Sequence, residues 1–284
     1  MRFAVIAVFA AALIALAGCG GPGRGAKAKT ITIKGSDTMV ILGQRWAETY
    51  MHHNPGVTVQ VTGGGSGTGI AALINGATDI CAASRPMKDK EKEQVRTRRA
   101  HEVCETAVAV DGLAIFLNES NPLEELALPQ LDTVYRGKLT DWKDLGGTPG
   151  HIVCYGRENS SGTYIYFKEH VLNNQDFAAD VQSLPGTAAV INAVLKDKQA
   201  IGYGGIGYAK GVKAIRVAAK PGENGCTPDM EHVLSGAYPI SRKLFFYTVS
   251  EPAGEVKAFI DWTLSDEGQR VCEQVGYYPV RRNR

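Results

Sequence analysis

The chain has 284 residues, 44% of them apolar and 21% charged, a globular composition that excludes a disordered or repetitive chain. Its 31 Lys and Arg against 29 Asp and Glu leave a formal net charge of +2. That is too weak a field to hold a polyanion, which argues against a nucleic-acid partner. No apolar run reaches the ~18–20 residues that span a bilayer, and the length suits roughly two lobes of ~150 residues each.

In chain order the first segment is an address. Met1-Arg2 gives a basic start, Phe3 to Ala17 is unbroken and apolar, and the run ends in Leu16-Ala17-Gly18-Cys19. A basic start, a short apolar core and small residues make residues 1–18 a secretory signal peptide, not a membrane span or a buried helix. Leu-Ala-Gly-Cys resembles the bacterial lipobox. The resemblance implies cleavage before Cys19 and a lipid on its thiol, palmitate among its acyl chains. Residues 19–29, rich in Gly, Ala and Lys, read as a flexible tether. The chain is therefore expected at the outer face of a bacterial cell membrane, periplasmic or extracellular, held by lipid alone. Of the remaining cysteines, none forms a Cys-x-x-Cys pair, so a zinc ribbon or thioredoxin motif is unsupported. Disulfides are allowed outside the cytoplasm. Five cysteines follow Cys19 (Cys81, Cys104, Cys154, Cys226 and Cys272), so at least one thiol stays free or pairs between chains; Cys226–Cys272 is the expected bridge, and Cys81 and Cys154 are expected to be buried in apolar runs.

Thr30 to Lys34 alternates and is β-branched, which predicts a strand. Gly35-Ser36-Asp37-Thr38 follows, and Met39, Leu42, Trp46 and Tyr50 then recur at helical spacing, with Ser36 or Asp37 as the capping residue. His52-His53 resembles a metal pair, but adjacent residues point apart on a helix, so a solvated helix end is expected and no metal site. Val57 to Thr62 is a second strand. Gly63-Gly-Gly-Ser66-Gly-Thr-Gly69 is a turn into a helix. Asp79 to Ala83 is a third strand, ending at Ser84-Arg85. Lys88 to Arg99 is a charged, solvated helix, and Val103 to Asn118 is strand-like. His151 to Tyr155 is a strand that leads through Gly156-Arg157-Glu-Asn-Ser-Ser-Gly-Thr163 into a helix over 164–172. Residues 190–198 are helical, 201–207 make a strand and a bend, 244–249 a strand, and 255–264 and 266–275 helices. Repeated strand, glycine turn and helix is the grammar of an open α/β sheet, in which ligands sit beyond the carboxyl ends of the strands.

Four segments share one chemistry: Ser36/Thr38, Ser66/Gly67/Thr68, Ser84/Arg85 and Arg157/Ser160/Ser161/Gly162/Thr163. Each is rich in hydroxyls and glycine at a strand end. Helix starts offer unpaired N–H groups and a partial positive charge, and several aimed at one point make an anion site. Arg157 and Arg85 can grip a tetrahedral oxyanion in bidentate fashion. Taken singly, each piece has a plainer reading. Ser36 or Asp37 and Ser160–Thr163 read as helix caps, Gly63–Gly69 as a loose loop and Arg85 as half of a surface ion pair.

These segments, read with Val-Tyr-Arg-Gly-Lys-Leu-Thr-Asp-Trp-Lys-Asp-Leu-Gly-Gly at 134–147, resemble in order the phosphate-binding proteins of bacterial phosphate ABC importers. The resemblance implies a two-lobed periplasmic-binding-protein fold of type II kind. Each lobe is an open mixed sheet with flanking helices, and the ligand cleft lies between them. Lobe one is expected over 30–113 plus 244–284 and lobe two over 114–243, with chain crossings near Asp111–Ala114 and Ile240–Lys243. It implies a monomeric binding protein, not an enzyme, that needs no cofactor and passes inorganic phosphate to permease subunits. Carried over residue by residue, the ligand contacts are Ser36, Thr38, Met39, Ser66, Gly67, Ser84, Arg85, Arg157, Ser161, Gly162 and Thr163. Some family members carry an aspartate, a proton acceptor, where this chain has Arg85. Discrimination of phosphate from sulfate, molybdate or tungstate must then come from elsewhere, with Asp37 as a candidate. Two other readings remain open. A hydrolase would use Ser66 or Ser161, although neither sits in a Gly-x-Ser-x-Gly elbow. A sensory or adhesive lipoprotein would use the same fold without transport.

Overall fold

The computed structural model describes residues 29–280, so the signal peptide, Cys19 and residues 19–28 of the tether lie outside the described residues. Lys29, counted above with the tether, instead opens the first strand. Its N–H donates to the Gly56 carbonyl at 3.1 Å, and its ammonium pairs with Glu255 at 2.6 Å.

The strands are β1 (Lys29–Gly35), β2 (Val57–Thr62), β3 (Ile80–Ala83), β4 (Val103–Leu117), β5 (Glu125–Ala127), β6 (Val153–Arg157), β7 (Gln182–Leu184), β8 (Ala200–Gly205), β9 (Lys213–Ala214), β10 (Arg216–Ala218) and β11 (Ser241–Val249). The helices are α1 (Val40–His53), α2 (Ser66–Asn75), α3 (Asp89–Arg99), α4 (Leu128–Tyr135), α5 (Gly162–His170), α6 (Gly186–Lys196), α7 (Met230–Ser235), α8 (Gly254–Thr263) and α9 (Asp266–Val275). Strands β5, β7, β9 and β10 run two or three residues each, too short for alternation to show in sequence.

One mixed sheet of nine strands runs β2-β1-β3-β11-β4-β8-β6-β7, with β9 also on β4. The separate sheets expected of two lobes are thus joined through β4, whose two ends serve different partners. Residues 103–112 pair antiparallel with β11, while 113–117 pair with β8 and, at 116–117, with β9. β1, β2 and β3 are mutually parallel in the first half of the sheet, as are β6, β7 and β8 in the second.

Apolar side chains cover both faces of both halves. In the first half, Ile31, Ile33, Trp46, Phe246, Phe259 and Val271 form one core under α1, α8 and α9, while Ile70, Leu73, Cys81, Val95 and Tyr247 form another under α2 and α3. In the second half, Leu113, Ile115, Tyr135, Phe167, Tyr203 and Ile240 pack on one face, and Phe116, Val190 and Val194 on the other. Burying such side chains contributes roughly 1.5–3 kcal/mol each. Parallel strands covered on both faces send their βα turns to the carboxyl edge, which sets where the hydroxyl-rich turns lie.

The expected Cys226–Cys272 bridge is not formed, and Cys81, Cys104, Cys154, Cys226 and Cys272 are all free thiols. Cys272 lies buried in the core under α1 and α9, whereas Cys226 packs against the core of the second half. The two sulfurs sit on different cores and cannot meet. Cys81 is fully buried. Cys154 is half-buried, and burial pushes its thiol up to about 12.

Gly35 closes β1 and turns the chain toward Ser36. Its φ is +141°, and a Cβ there would run into the Ala82 carbonyl oxygen, which accepts the Ser36 N–H at 2.8 Å. Gly35→Ala is expected to lower unfolding stability by about 2–4 kcal/mol through strain and overpacking, measured by denaturant titration.

Candidate functional site

Three helix starts meet at the carboxyl edges of the two half-sheets. The first is a 3₁₀ turn, Asp37–Met39, that runs into α1, the second is α2 at Ser66 and the third is α5 at Gly162. The first two follow β1 and β2, and the third follows β6 from the other half. Thr38 Oγ1 and Thr163 Oγ1 hydrogen-bond each other at 2.8 Å. The Gly67 N–H donates to the Ser160 carbonyl at 2.9 Å. A Cβ on Gly65, whose φ is +92°, would lie 2.6 Å from that carbonyl oxygen, and one on Gly162 would collide with Ser66 Oγ and lie 2.8 Å from Ser84 Oγ. Glycine at these places is what lets the two halves approach so closely.

The structure therefore brings Thr38, Ser66, Ser84, Gly162 and Thr163 into one cluster. All four hydroxyls are buried. Ser66 Oγ accepts the Ser84 N–H at 3.1 Å and lies 3.4 Å from Ser84 Oγ. Hydroxyl hydrogens rotate to suit an acceptor, so these groups are uncharged donors beside three positive helix ends. Ser36 Oγ is buried and has no partner among the described residues. It makes no side-chain cap.

Other expected contacts are engaged elsewhere. Met39 packs its side chain into the core with Trp46, and its N–H donates to the Ser36 carbonyl at 3.0 Å. The Gly67 N–H is the tie to Ser160 already described. Ser161 Oγ accepts the Thr163 and Tyr164 N–H groups at 3.1 and 3.4 Å, so it caps α5. Arg85 was expected on the anion or in a surface ion pair. Its side chain is 7% exposed, and its Nη1 and Nη2 donate to Glu91 at 2.8 and 2.7 Å, with Nη1 also on the Pro86 carbonyl. Glu91 also accepts the Lys88 N–H at 2.8 Å, so the first turn of α3 holds this guanidinium away from the hydroxyl cluster.

Arg157 is 2% exposed and joins the two halves. Its Nη2 donates to Asp37 Oδ2 at 2.6 Å and its Nη1 to Thr187 Oγ1 at 2.8 Å. Burial pulls its pKa down from the ordinary value, and Asp37 opposes that shift. Asp37 Oδ1 accepts the Gly64 N–H at 2.8 Å, and its carbonyl accepts Tyr208 Oη–H at 2.7 Å. Asp37 thus links the turns after β1 and β2 to the second half of the sheet.

A second buried ion pair lies beside the cluster. Arg242 on β11 stands directly opposite Asp111 on β4. Its Nε and Nη2 donate to Asp111 Oδ2 at 3.0 and 2.9 Å, and Asp111 Oδ1 accepts the Ile206 N–H at 3.1 Å. Nη2 also reaches Thr163 Oγ1 at 3.0 Å and Thr38 Oγ1 at 3.5 Å. Complete burial pushes the Asp111 carboxyl up from its ordinary range, and Arg242 pulls it the other way. The only sequence signal was indirect, since both residues fall on the expected chain crossings. Among the described residues no group of His, Cys, Asp and Glu is arranged to hold a metal.

Comparison with known proteins gives the setting. A PBP superfamily domain matches residues 20–267. The phosphate-binding protein PstS of Pseudomonas aeruginosa is 35% identical over 263 residues, covering 87% of this chain and 81% of the relative. That of Bacillus subtilis is 28% identical over 98% of this chain and 94% of its own length. The phosphate-bound crystal structure of a phosphate ABC transporter substrate-binding protein from Clostridium perfringens superposes with a TM-score of 0.81 at 30% identity, covering 89% of this chain and all of that one. An ABC-type phosphate transport receptor from Vibrio cholerae gives 0.68 at 29% identity, over 87% of this chain and 99% of its own.

The Arg85–Glu91 pair makes a stability prediction. Burial raises the Glu91 carboxyl, but its bonds to Arg85 and Lys88 outweigh this and hold it below the ordinary value. Its contribution is then present above the unfolded carboxylate pKa of ~4.3 and lost as pH falls through the depressed folded value. Glu91→Gln should destabilise the protein by about 1–3 kcal/mol at neutral pH. The difference from wild type should shrink in unfolding titrations carried below that range.

Proposed function

We propose that this chain, which belongs to the PBP superfamily and within it to the phosphate-binding proteins of phosphate ABC transporters, captures inorganic phosphate between the facing helix starts and delivers it to a permease. It works as a solute receptor and not as an enzyme. The observation that carries the reading is the meeting of the α1, α2 and α5 starts with the hydroxyls of Thr38, Ser66, Ser84 and Thr163. Such a set presents neutral donors and helix dipoles to a small, strongly charged guest.

Residues 30–113 with 244–284 act as one lobe, and 114–243 as the other. With the lobes apart, each half of the donor set faces water. Phosphate contacts both sets only in the closed arrangement, and this differential affinity drives closure. Ser36, with its unpartnered buried hydroxyl, adds a further donor. Arg157 acts at the seam, where its pairing with Asp37 ties the lobes as they close and its Nε, buried without a partner among the described residues, faces the anion. A lipid on Cys19 would keep the receptor, a monomer, beside its permease at the outer membrane face. Phosphate is the favoured guest over sulfate. The carboxylate that restrains a deprotonated tetrahedral anion is Asp37, since Arg85 takes the place of the acidic residue some relatives carry.

Titration calorimetry on the mature protein is expected to show single-site phosphate binding, with sulfate, molybdate and tungstate much weaker. Arg157→Ala should cost roughly 2–5 kcal/mol of that binding, and unchanged affinity in the folded variant would defeat the assignment. Cys19→Ser, expressed in a bacterial host, should move the protein from the membrane fraction to the soluble one. Retention in the membrane fraction would rule out the lipid anchor.

A further inference from the structure

We infer that Arg242 is an additional anion-binding residue, a fixed guanidinium at the floor of the cleft, with Asp111 as the residue that positions it; the inference rests on the phosphate-receptor reading above. Three observations place it there. The first is its burial, with the Arg242 side chain 2% exposed and that of Asp111 fully buried. A charge so deep is costly unless it is paired, and Asp111 supplies that pairing.

The second is the way the guanidinium is divided. Nε and Nη2 lie on one carboxylate oxygen, Asp111 Oδ2, so the edge formed by Nη1 and Nη2 is turned away from the aspartate. Nη2 shows where that edge faces, because it reaches Thr163 Oγ1 and Thr38 Oγ1, one from each half of the molecule. Nη1 is buried with no partner among the described residues. A purely structural pin between β4 and β11 would be complete with the two bonds to Asp111. What remains is a donor edge aimed at the hydroxyl cluster, in the fork geometry that matches two oxygens of a tetrahedral oxyanion.

The third observation is the place of Arg242 on a cleft. Arg242 also forms part of the wall of a cleft of about 400 Å³, where Arg85, Lys88, His170 and Lys243 are the other basic groups and Glu169 is the acid. Tyr166 lines the same cleft and lies under the guanidinium, its ring centre 5.2 Å from Cζ, which fixes the plane of the fork. Arg242 stands on a strand pair shared by both halves of the sheet, so its position does not depend on the lobes having closed. It is placed to hold the anion, together with Thr163 beside it, while the facing hydroxyls of the other half close around it.

The test is calorimetry with inorganic phosphate on the mature chain and on Arg242→Gln, Arg242→Lys, the double variant Asp111→Asn/Arg242→Gln, and Arg136→Gln as a surface control. The double variant leaves no unpaired buried charge, and Arg242→Lys keeps a cation on Asp111, so each guards against a simple failure to fold. All three Arg242 variants should bind phosphate at least about tenfold more weakly, as expected for a lost charge-assisted hydrogen bond, with the control unchanged. The loss in the two glutamine variants should also be larger at ~pH 8, where phosphate is mostly dianion, than at ~pH 6, a dependence that a structural role alone would not produce. Binding within about threefold of wild type in any folded Arg242 variant, at both pH values, would overturn the assignment. A wild-type protein that binds no phosphate would instead bring down the receptor reading, and this inference with it.

Discussion

A small anion stripped of water needs donors on every side, and neutral donors gather here where two halves of one sheet come into contact. The Gly67 N–H on the Ser160 carbonyl, the pairing of Thr38 with Thr163 and the press of Gly162 on Ser66 and Ser84 leave no room for side chains larger than those present. The donors are mostly neutral. Each buried guanidinium beside them carries its own carboxylate, Asp37 for Arg157 and Asp111 for Arg242. Before a ligand arrives the site therefore holds no uncompensated charge, and the cost of burying unpaired ions is avoided. On this account the anion brings the one net charge, and oriented dipoles meet it.

The same pairs explain how the halves can act as lobes. β4 and β11 cross between them as neighbours, and β4 changes partner from β11 to β8 and β9 where it passes Gly112. Each half keeps its own buried cores, so a swing about the crossing strands would leave the packing inside each half intact. The polar ties between the halves, Arg157 to Asp37 and Tyr208 to the Asp37 carbonyl among them, are the contacts such a swing would make and break. Apolar contacts cross as well, Ile206 on a core of the first half and Val110 and Tyr278 on one of the second.

Much of this was legible in the sequence because the relevant signals are local. A strand that ends in glycine and a hydroxyl residue before a helical period is written within about ten residues, and Ser66, Thr38 and Gly162 to Thr163 could be picked out that way. Arg85 was harder to place. The Glu91 that captures it sits six residues on, inside a charged run that read as a solvated helix, and only the first turn of α3 brings its carboxylate back. Met39 follows a core period as well as a turn, and packing claims it. Arg242 was out of reach. Ser241 to Lys243 are polar and precede the apolar run Leu244 to Val249 that reads as a strand, so the expected strand begins three residues after β11 does. The partner of Arg242 lies 131 residues away, and nothing but strand register brings them together. The Cys226–Cys272 pairing failed for the same reason, since spacing along the chain does not tell which core a side chain joins.

The most direct measurement is a crystal structure of the mature protein grown with arsenate, a tetrahedral oxyanion that anomalous scattering from arsenic locates without bias. The account predicts one strong site enclosed by the α1, α2 and α5 starts, within hydrogen-bonding distance of Thr38, Ser66, Ser84 and Thr163. An ordered arsenate bound away from those helix starts, with the cluster hydroxyls still bonded only to one another, would contradict it.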